Sequence, residues 1–367
     1  MSLDGSGDAL SIQAGVDSSS AGDTVLVKAG EYVEGVSVTH GLSIIGESGA
    51  HATTLNRGGE GDCVVGFPAP GALLVEGLTL TGAQRSTYGS NGYGIVGGEF
   101  EVRSCVVETP YGVSGEGSVA VTDTEIRLGS GVALEHGDLT VERCSFVSNV
   151  QREGGSSYAI VQMLNGSATI RDCEFRDNLS FGGRPVVGYN GVPGQVVVEG
   201  CVFQGNSGPA VGWSAIAITA PRGLPDPDGT SVVVRGNTIV EADGPGLGGG
   251  VHRLSTDSVI EWNVIAGCDS GLVLPVKTAA TVVSCNLSWG NGVNWAGFDD
   301  PTGTDGNLSE PPLFCDYAGG NYAPAGNSPL LPGSNSCGVQ IGALGQGCGP
   351  VSVRPTSWAR IKSLYRD

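Results

Sequence analysis

Residues 138–149 read DLTVERCSFVSN, residues 167–178 read SATIRDCEFRDN, and residues 195–206 read QVVVEGCVFQGN. The three segments align without gaps on the cysteine in their seventh position, and consecutive cysteines lie 29 and 28 residues apart. Self-similarity at a fixed period of this size is typical of stacked repeat units. This repeat is therefore the strongest indication of how the chain folds.

Within each repeat the apolar residues first alternate and then skip. Counted from the cysteine as position 0, they fall at −5, −3 and +2, as Leu139, Val141 and Phe146 do in the first copy. The spacing of two indicates a β-strand, and the spacing of three predicts a tight bend before a second strand. A third strand precedes the pair in most units, for example YGIV at 93–96. Three short strands per repeat predict an all-β fold, a right-handed single-stranded parallel β-helix of about ten coils.

The same frame extends in both directions from the central copies. The column expected at the bend is Leu78, Cys105, Thr124, Cys144, Cys173, Cys201, Asn237, Asn263 and Cys285. Residues 1–292 are assigned to the β-helix, with a helix at 9–20, N-capped by Ser11, that covers its open end. Residues 293–350 are expected to form a C-terminal capping segment, and residues 351–367 a basic tail.

Composition excludes several classes of protein. Glycine contributes 63 of 367 residues, which disfavours long helices. The formal net charge of −19 argues against a nucleic-acid partner, and against tight binding of a polyanion without bridging cations. No stretch approaches the roughly 20 apolar residues of a transmembrane helix. We expect a monomer.

Eight of the ten cysteines fall into two groups. Those in the repeat column are expected to pack as small buried hydrophobes. Cys315, Cys337 and Cys348 lie beyond the last repeat, where little periodic core exists and cross-links stabilise most. Cys337 with Cys348 is the first disulfide to expect, and Cys285 with Cys315 is a second candidate. Both imply an oxidising compartment, so the protein is expected to be secreted or at the cell surface, its signal peptide already removed.

Nearly the whole chain resembles known proteins. DGSGDALSIQAGV, GDTVLVKAGEYVEGVSV and GLSIIGESG are similar to the opening coil of the pectin-lyase-like superfamily, including the GEYVE element that pectin methylesterases share. The remainder, ending in EPPLFCDYAGGNYAPAGNSPL and CGVQIGALGQGC, resembles secreted bacterial right-handed β-helix repeat proteins. The resemblance implies the fold and an exported bacterial origin. It implies little about activity, because the shared elements are structural.

The catalytic signatures of that superfamily are incomplete here. The QAVAL, DFIFG and LGRPW elements of methylesterases are missing, as are the NTD element of polygalacturonases and the WIDH element of pectate lyases. Four scattered histidines provide no zinc motif. No cofactor is evident, although Ca²⁺ at Asp226 and Asp228 is left open. If the protein is an enzyme, the resemblance implies a polysaccharide lyase or glycoside hydrolase.

A binding surface is the remaining candidate. Outward side chains on adjacent coils repeat at about 4.8 Å, which suits an extended polymer. Aromatic rings stack on sugars and arginines pair with carboxylates. The candidate carbohydrate-binding residues beside the first strand of each unit are Tyr158, Arg184, Tyr189, Trp213, Arg152 and Gln162. The leading hypothesis is a protein that binds or processes a carbohydrate polymer, an acidic polysaccharide being one case. The alternatives are a non-catalytic adhesion or structural solenoid, and tyrosines that only seal corners.

Overall fold

A computed structural model describes residues 7–66, 73–85, 91–129, 131–150, 159–179, 186–190, 194–208, 215–219, 231–242, 245–249, 257–274 and 280–351. One α-helix, α1 (Ile12–Asp17), precedes the strands, and a short 3₁₀ helix (Pro332–Ser334) follows them. Within those ranges, no helix has both the length and the apolar character needed to cross a bilayer.

The strands are short and follow one another along the whole described chain. In order they are β1 (Thr24–Val27), β2 (Gly30–Val33), β3 (Val36–Val38), β4 (Ser43–Gly46), β5 (Thr53–Glu60), β6 (Val64–Gly66), β7 (Leu73–Glu76), β8 (Thr79–Gln84), β9 (Ile95–Gly97), β10 (Phe100–Arg103), β11 (Val106–Glu108), β12 (Val113–Thr122), β13 (Glu125–Arg127), β14 (Val132–Glu142), β15 (Ser145–Val147), β16 (Val161–Arg171), β17 (Glu174–Arg176), β18 (Val187–Asn190), β19 (Gln195–Glu199), β20 (Val202–Gln204), β21 (Ile216–Thr219), β22 (Ser231–Arg235), β23 (Thr238–Val240), β24 (Pro245–Gly249), β25 (Asp257–Glu261), β26 (Val264–Ala266), β27 (Ser270–Val273), β28 (Val282–Ser284), β29 (Leu287–Trp289), β30 (Val293–Ala296), β31 (Phe314–Asp316) and β32 (Asn321–Pro324).

Strands β1–β30 form three parallel ladders, which we call the first, second and third faces. The first face runs β1, β4, β7, β10, β12, β14, β16, β19, β22, β25, β28. The second face runs β2, β5, β8, β11, β13, β15, β17, β20, β23, β26, β29. The third face runs β3, β6, β9, then the first halves of β12, β14 and β16, then β18, β21, β24, β27, β30. Because each strand pairs with its copy one turn on, the described chain is a parallel β-helix, as the repeat predicted.

In most of the described coils, two left-handed bends lie on either side of the second face. In the repeat centred on Cys173 they are Asp172 (φ 52°) and Asp177 (φ 54°). The predicted break between −3 and 0 therefore lies at position −1. The turn from the third face to the first is made differently in the central coils, where β12, β14 and β16 continue through it. Gly137 allows this, because a Cβ there would lie 1.7 Å from the carbonyl oxygen of Gly117 on the preceding coil.

The interior is built from columns of identical side chains. Phe146, Phe175 and Phe203 stack with ring centroids 4.7 and 4.6 Å apart and planes within 8° of each other. Cys144 and Cys173 lie beside them, each at most 2 % exposed, and their thiols contact carbonyl oxygens of the preceding coil at 3.3 and 3.5 Å. The predicted pile of cysteines is therefore present.

The lower part of the bend column is a ladder of asparagines. Asn237, Asn263, Asn286 and Asn307 are each completely buried, and each of the first three donates its side-chain amide to Oδ1 of the next. The assignment of Cys285 to this column was wrong by one residue. Val283 pairs with Ile260, which places Asn286 in the column and Cys285 at the left-handed bend before it.

The GEYVE element has a structural role at the first coil. Oε1 of Glu34 accepts a hydrogen bond from the backbone N–H of Ile12 at 2.7 Å, and Oε2 accepts one from Gln13 at 3.0 Å. Ser11 accepts from the N–H of Ala14, so both side chains satisfy amides that helix α1 leaves unpaired. The buried side chains of Ile12 and Val16 then join the core.

Residues 313–351 fold back over the outer side of the second face; we call them the covering segment. Phe314, Tyr322, Leu330 and Ile341 form a second apolar core with outward side chains of β23, β26 and β29. The amide of Gly342 donates to the carbonyl of Trp262 at 2.6 Å. The segment therefore lies along the side of the β-helix.

The disulfides join the four cysteines named from the sequence, but in different pairs. Cys285 bonds Cys337, and Cys315 bonds Cys348. The expected pairing of Cys337 with Cys348 is wrong because each of these cysteines lies beside one from an earlier part of the chain. The bend at Cys285 instead faces Cys337 across Gly306, and Cys348 lies beside β32 through its bridge with Ala325.

Candidate functional site

The third face, on which the predicted sugar groove falls, carries small residues along one register column of its middle coils. Ser114, Ala133, Gly188 and Ala217 occupy one register column of this face. Gln162 interrupts the column and is only 3 % exposed. A polymer could approach the backbone closely along this column, because most of its side chains are small. Gln162, however, has little exposed surface with which to contact a polymer.

Four of the other five predicted groove residues lie outside the described residues: Arg152, Tyr158, Arg184 and Trp213. The backbone of Tyr189 is described within β18, where it pairs with Met163 and Ile218. Met163 belongs to the buried core, so this register column points inward in the preceding coil. The groove stays a prediction.

Two tyrosines from the same region seal a corner. Tyr93 and Tyr111 are 8 % and 5 % exposed, and their ring centroids lie 5.6 Å apart. For these two residues, the packing interpretation is the correct one.

Along one column of the first face, arginines and carboxylates alternate as Glu142, Arg171, Glu199 and Arg235. Glu199 pairs with Arg171 at 3.2 Å and with Arg235 at 2.7 Å on the coils on either side. At the bend beside this face, Arg143 pairs with Asp123 at 2.7 Å. Hydrogen bonding from Arg235 is the main cause that lowers the pKa of Glu199. These carboxylates are committed to neighbours and serve the fold.

A cleft of about 670 Å³ lies on the second face, along the edge of the covering segment. Its floor comes from two adjacent coils, and its wall comes from two stretches of the covering segment. The lining side chains and backbone belong to Asp172, Cys173, Glu174, Gly200, Val202, Gln204, Gly319, Gly320, Asn321, Tyr322, Ala323, Ala343 and Leu344. Sequence reasoning missed this cleft, because it treated the C-terminal region as a cap on the end.

The cleft combines free polar groups with apolar surface. Glu174 lies 3.6 Å from Arg176, a loose ion pair. Asp172 extends over Gly200 of the next coil, and its carboxylate forms no ion pair with a described residue. Partly exposed Val202 and Leu344 provide the apolar part. Polar groups that converge beside an apolar patch are typical of ligand sites.

The wall is held by an aromatic cluster. Tyr322 packs edge-to-face on Phe314 and Tyr317, with centroids 5.5 and 5.6 Å away. Burial is the first cause, and the nearby Glu241 carboxylate the second, that raise the pKa of Tyr322 well above its ordinary value. The neutral phenol of Tyr322 can remain against the carboxylate of Glu241, whereas a phenolate there would be repelled.

Metal binding has no geometric support in the part of the chain that is described. No group of three or more histidine, cysteine, aspartate or glutamate side chains there is arranged to hold an ion. Asp226 and Asp228, left open as Ca²⁺ ligands, fall outside it.

Comparison with known proteins gives little further guidance. No family model matches the chain, and no curated protein matches it. Among solved structures, the mannuronan C-5 epimerase AlgE4 A-module of Azotobacter vinelandii is similar over 76 % of each chain, at 16 % identity and a TM-score of 0.31. The AlgE6 A-module of the same organism is similar over 82 % of this chain and 94 % of its own, at 16 % identity and a TM-score of 0.29. Similarity this weak carries no argument about activity.

Proposed function

We propose that this protein binds a carbohydrate polymer, and that the cleft between the second face and the covering segment is its contact site. The observation that carries the proposal is the lining itself. Asp172, Glu174, Gln204 and Asn321 offer acceptors and donors for sugar hydroxyls, and Val202 and Leu344 offer an apolar patch for a ring face. The adjoining second-face strands β13 and β15 keep partly exposed outward side chains at strand spacing, so contacts can continue beyond the cleft.

The charge of the cleft indicates which class of polysaccharide it would bind. Its floor bears carboxylates and none of the described residues that line it is basic, within a chain of net charge −19. A neutral polysaccharide fits this surface better than the acidic one considered from the sequence, because like charges inside a partly desolvated cleft repel. Two disulfides are compatible with an extracellular location, and we propose that the protein acts outside the cell.

Affinity electrophoresis through gels containing single polysaccharides tests the proposal. Wild-type protein should be retarded in at least one gel of a neutral glycan. Gln204→Ala and Asn321→Ala together should weaken that retardation about tenfold, since two hydrogen-bonding groups are lost. Thr140→Ala on the first face is the matched surface control and should change nothing.

Equal migration of all three proteins across a broad panel of neutral, acidic and amino glycans would show that the cleft is not a carbohydrate-binding site. It would favour the rival function, a rigid surface or adhesion module without a saccharide ligand. Retardation that depends on Trp213 or Tyr189 instead would move the site to the predicted groove on the third face.

A further inference from the structure

The floor and the wall of the cleft are held in place by different kinds of bonds. Asp172, Glu174, Val202 and Gln204 belong to coils of the β-helix, whose order comes from parallel ladders and the buried Phe and Cys columns. The wall, 319–323 and 343–344, belongs to a segment whose regular structure is one two-stranded antiparallel pair and one 3₁₀ turn. The wall is therefore the part that depends on cross-linking.

Both stretches of the wall lie within the loop that one disulfide closes. Cys315 precedes 319–323, and Cys348 follows 343–344. Around this disulfide the chain is tightly packed: Gly347 donates to the carbonyl of Pro324 at 3.0 Å, and a Cβ on Gly347 would lie 2.4 Å from that of Ala323. Cys315–Cys348 thus holds the two stretches of the wall beside each other.

The floor has no such dependence. Cys173 and Cys201, in the two coils that supply it, are free and buried thiols. A reductant has no bond to break there. Reduction is expected to act on the wall while leaving the floor intact.

We propose that closure of Cys315–Cys348 assembles the cleft, so that ligand binding is switched on by oxidation and off by reduction. This inference rests on the proposed function of the cleft. In the opening step a dithiol delivers two electrons and two protons to the disulfide, giving the thiols of Cys315 and Cys348, and is itself oxidised to a cyclic disulfide. The stretches 319–323 and 343–344 then separate. By linkage, bound ligand makes the disulfide harder to reduce.

The test compares oxidised protein, protein reduced with dithiothreitol, and two double variants. Retardation by the glycan gel should weaken at least tenfold on reduction and in Cys315→Ser/Cys348→Ser. Cys285→Ser/Cys337→Ser is the matched control, because it removes a disulfide that does not span the wall; it should weaken retardation less than threefold. Circular dichroism of each form should show the same β signal.

A second readout separates this inference from the function it rests on. The amides of Gly342 and Ala343 donate to Trp262 and Thr238 of the β-helix, at 2.6 and 3.0 Å. Their hydrogen exchange should accelerate at least tenfold when Cys315–Cys348 is opened, whether or not any glycan binds. Unchanged exchange would overturn the switch, and so would retardation of the reduced protein within twofold of the oxidised protein in a gel that retards the oxidised protein. Accelerated exchange without any glycan binding would overturn the proposed function alone.

Discussion

The side-chain amide of Asn263 donates to Oδ1 of Asn286 at 2.9 Å, one coil further along the chain. The same amide donates to the carbonyl of Val234 at 2.9 Å, and its own Oδ1 accepts from the backbone N–H of Asn237 at 3.0 Å. One side chain therefore satisfies backbone groups of the preceding coils and continues the ladder into the following one. The column is an internal chain of hydrogen bonds, and it takes the position that buried thiols occupy in the preceding coils.

Asn263→Ala should be strongly destabilising. It leaves the carbonyl of Val234 and the N–H of Asn237 buried without these partners, and an unsatisfied buried group costs about 1–3 kcal/mol. We expect a loss of about 3–5 kcal/mol in the free energy of unfolding, measured by urea titration. Asn56→Ala, on the surface of β5, should lose no more than about 1 kcal/mol. Similar losses for the two variants would mean that the ladder contributes little.

Gly137→Ala should prevent close stacking of the central coils. Its φ of 119° is already unfavourable for alanine, and the new Cβ would meet the backbone carbonyl of Gly117. Gly22 has a φ of 90° and open space around it, so Gly22→Ala isolates the backbone strain, which is about 1–2 kcal/mol. We expect Gly137→Ala to lower the unfolding free energy by at least about 3 kcal/mol more than the control, because coils must move apart. Equal effects of the two substitutions would contradict the close approach.

The free cysteines should be unreactive in the folded protein. Burial raises the pKa of Cys63, Cys105 and Cys268 to about 12 each. Because the thiolate is the reactive form, these thiols should not react with a disulfide reagent at pH 8. Six described free cysteines should react once urea unfolds the chain. Rapid reaction of any of them in native buffer would show that its coil opens.

Tyr322 should make the covering segment sensitive to alkali. Its pKa is raised in the folded protein, whereas an unfolded tyrosine loses its proton near pH 10. Above that pH the unfolded state binds fewer protons than the folded state, so this contribution to stability is full below about pH 10 and declines as pH rises. Tyr322→Phe should flatten the fall of unfolding free energy between pH 9 and 11, measured by denaturant titration at each pH. An identical slope in wild type and variant would contradict the assignment.

The periodicity of three central repeats was sufficient to predict the ladders, the bend and the buried columns. Alternation at −5 and −3 reports which side of a strand is buried, and every coil obeys that requirement. The frame failed at its lower end, where Ala280, Val282 and Leu287 imitate the apolar spacing one residue out of step. The true register is set by Asn286, which continues the hydrogen bonds of Asn237 and Asn263.

The cleft could not be predicted in the same way, although one signal was present. The second-face strands β23 and β26 read TIV and VIA, apolar on both sides, where earlier copies such as EFR in β17 carry charge outward. A strand buried on both sides requires a cover, here the covering segment. Which segment supplies the cover depends on contacts between residues far apart in sequence, as between Ala343 and Thr238. Periodicity contains no information about such contacts.

The distance in sequence between Thr238 and Ala343, 105 residues, also bears on biosynthesis. Coils up to β20 can form while the nascent chain is still emerging, since each needs only its predecessor. The outward apolar side chains of β23, β26 and β29 have no partner until the last part of the chain has been translated. During that interval the nascent chain exposes an apolar surface, and binding by holdase chaperones would protect it from aggregation.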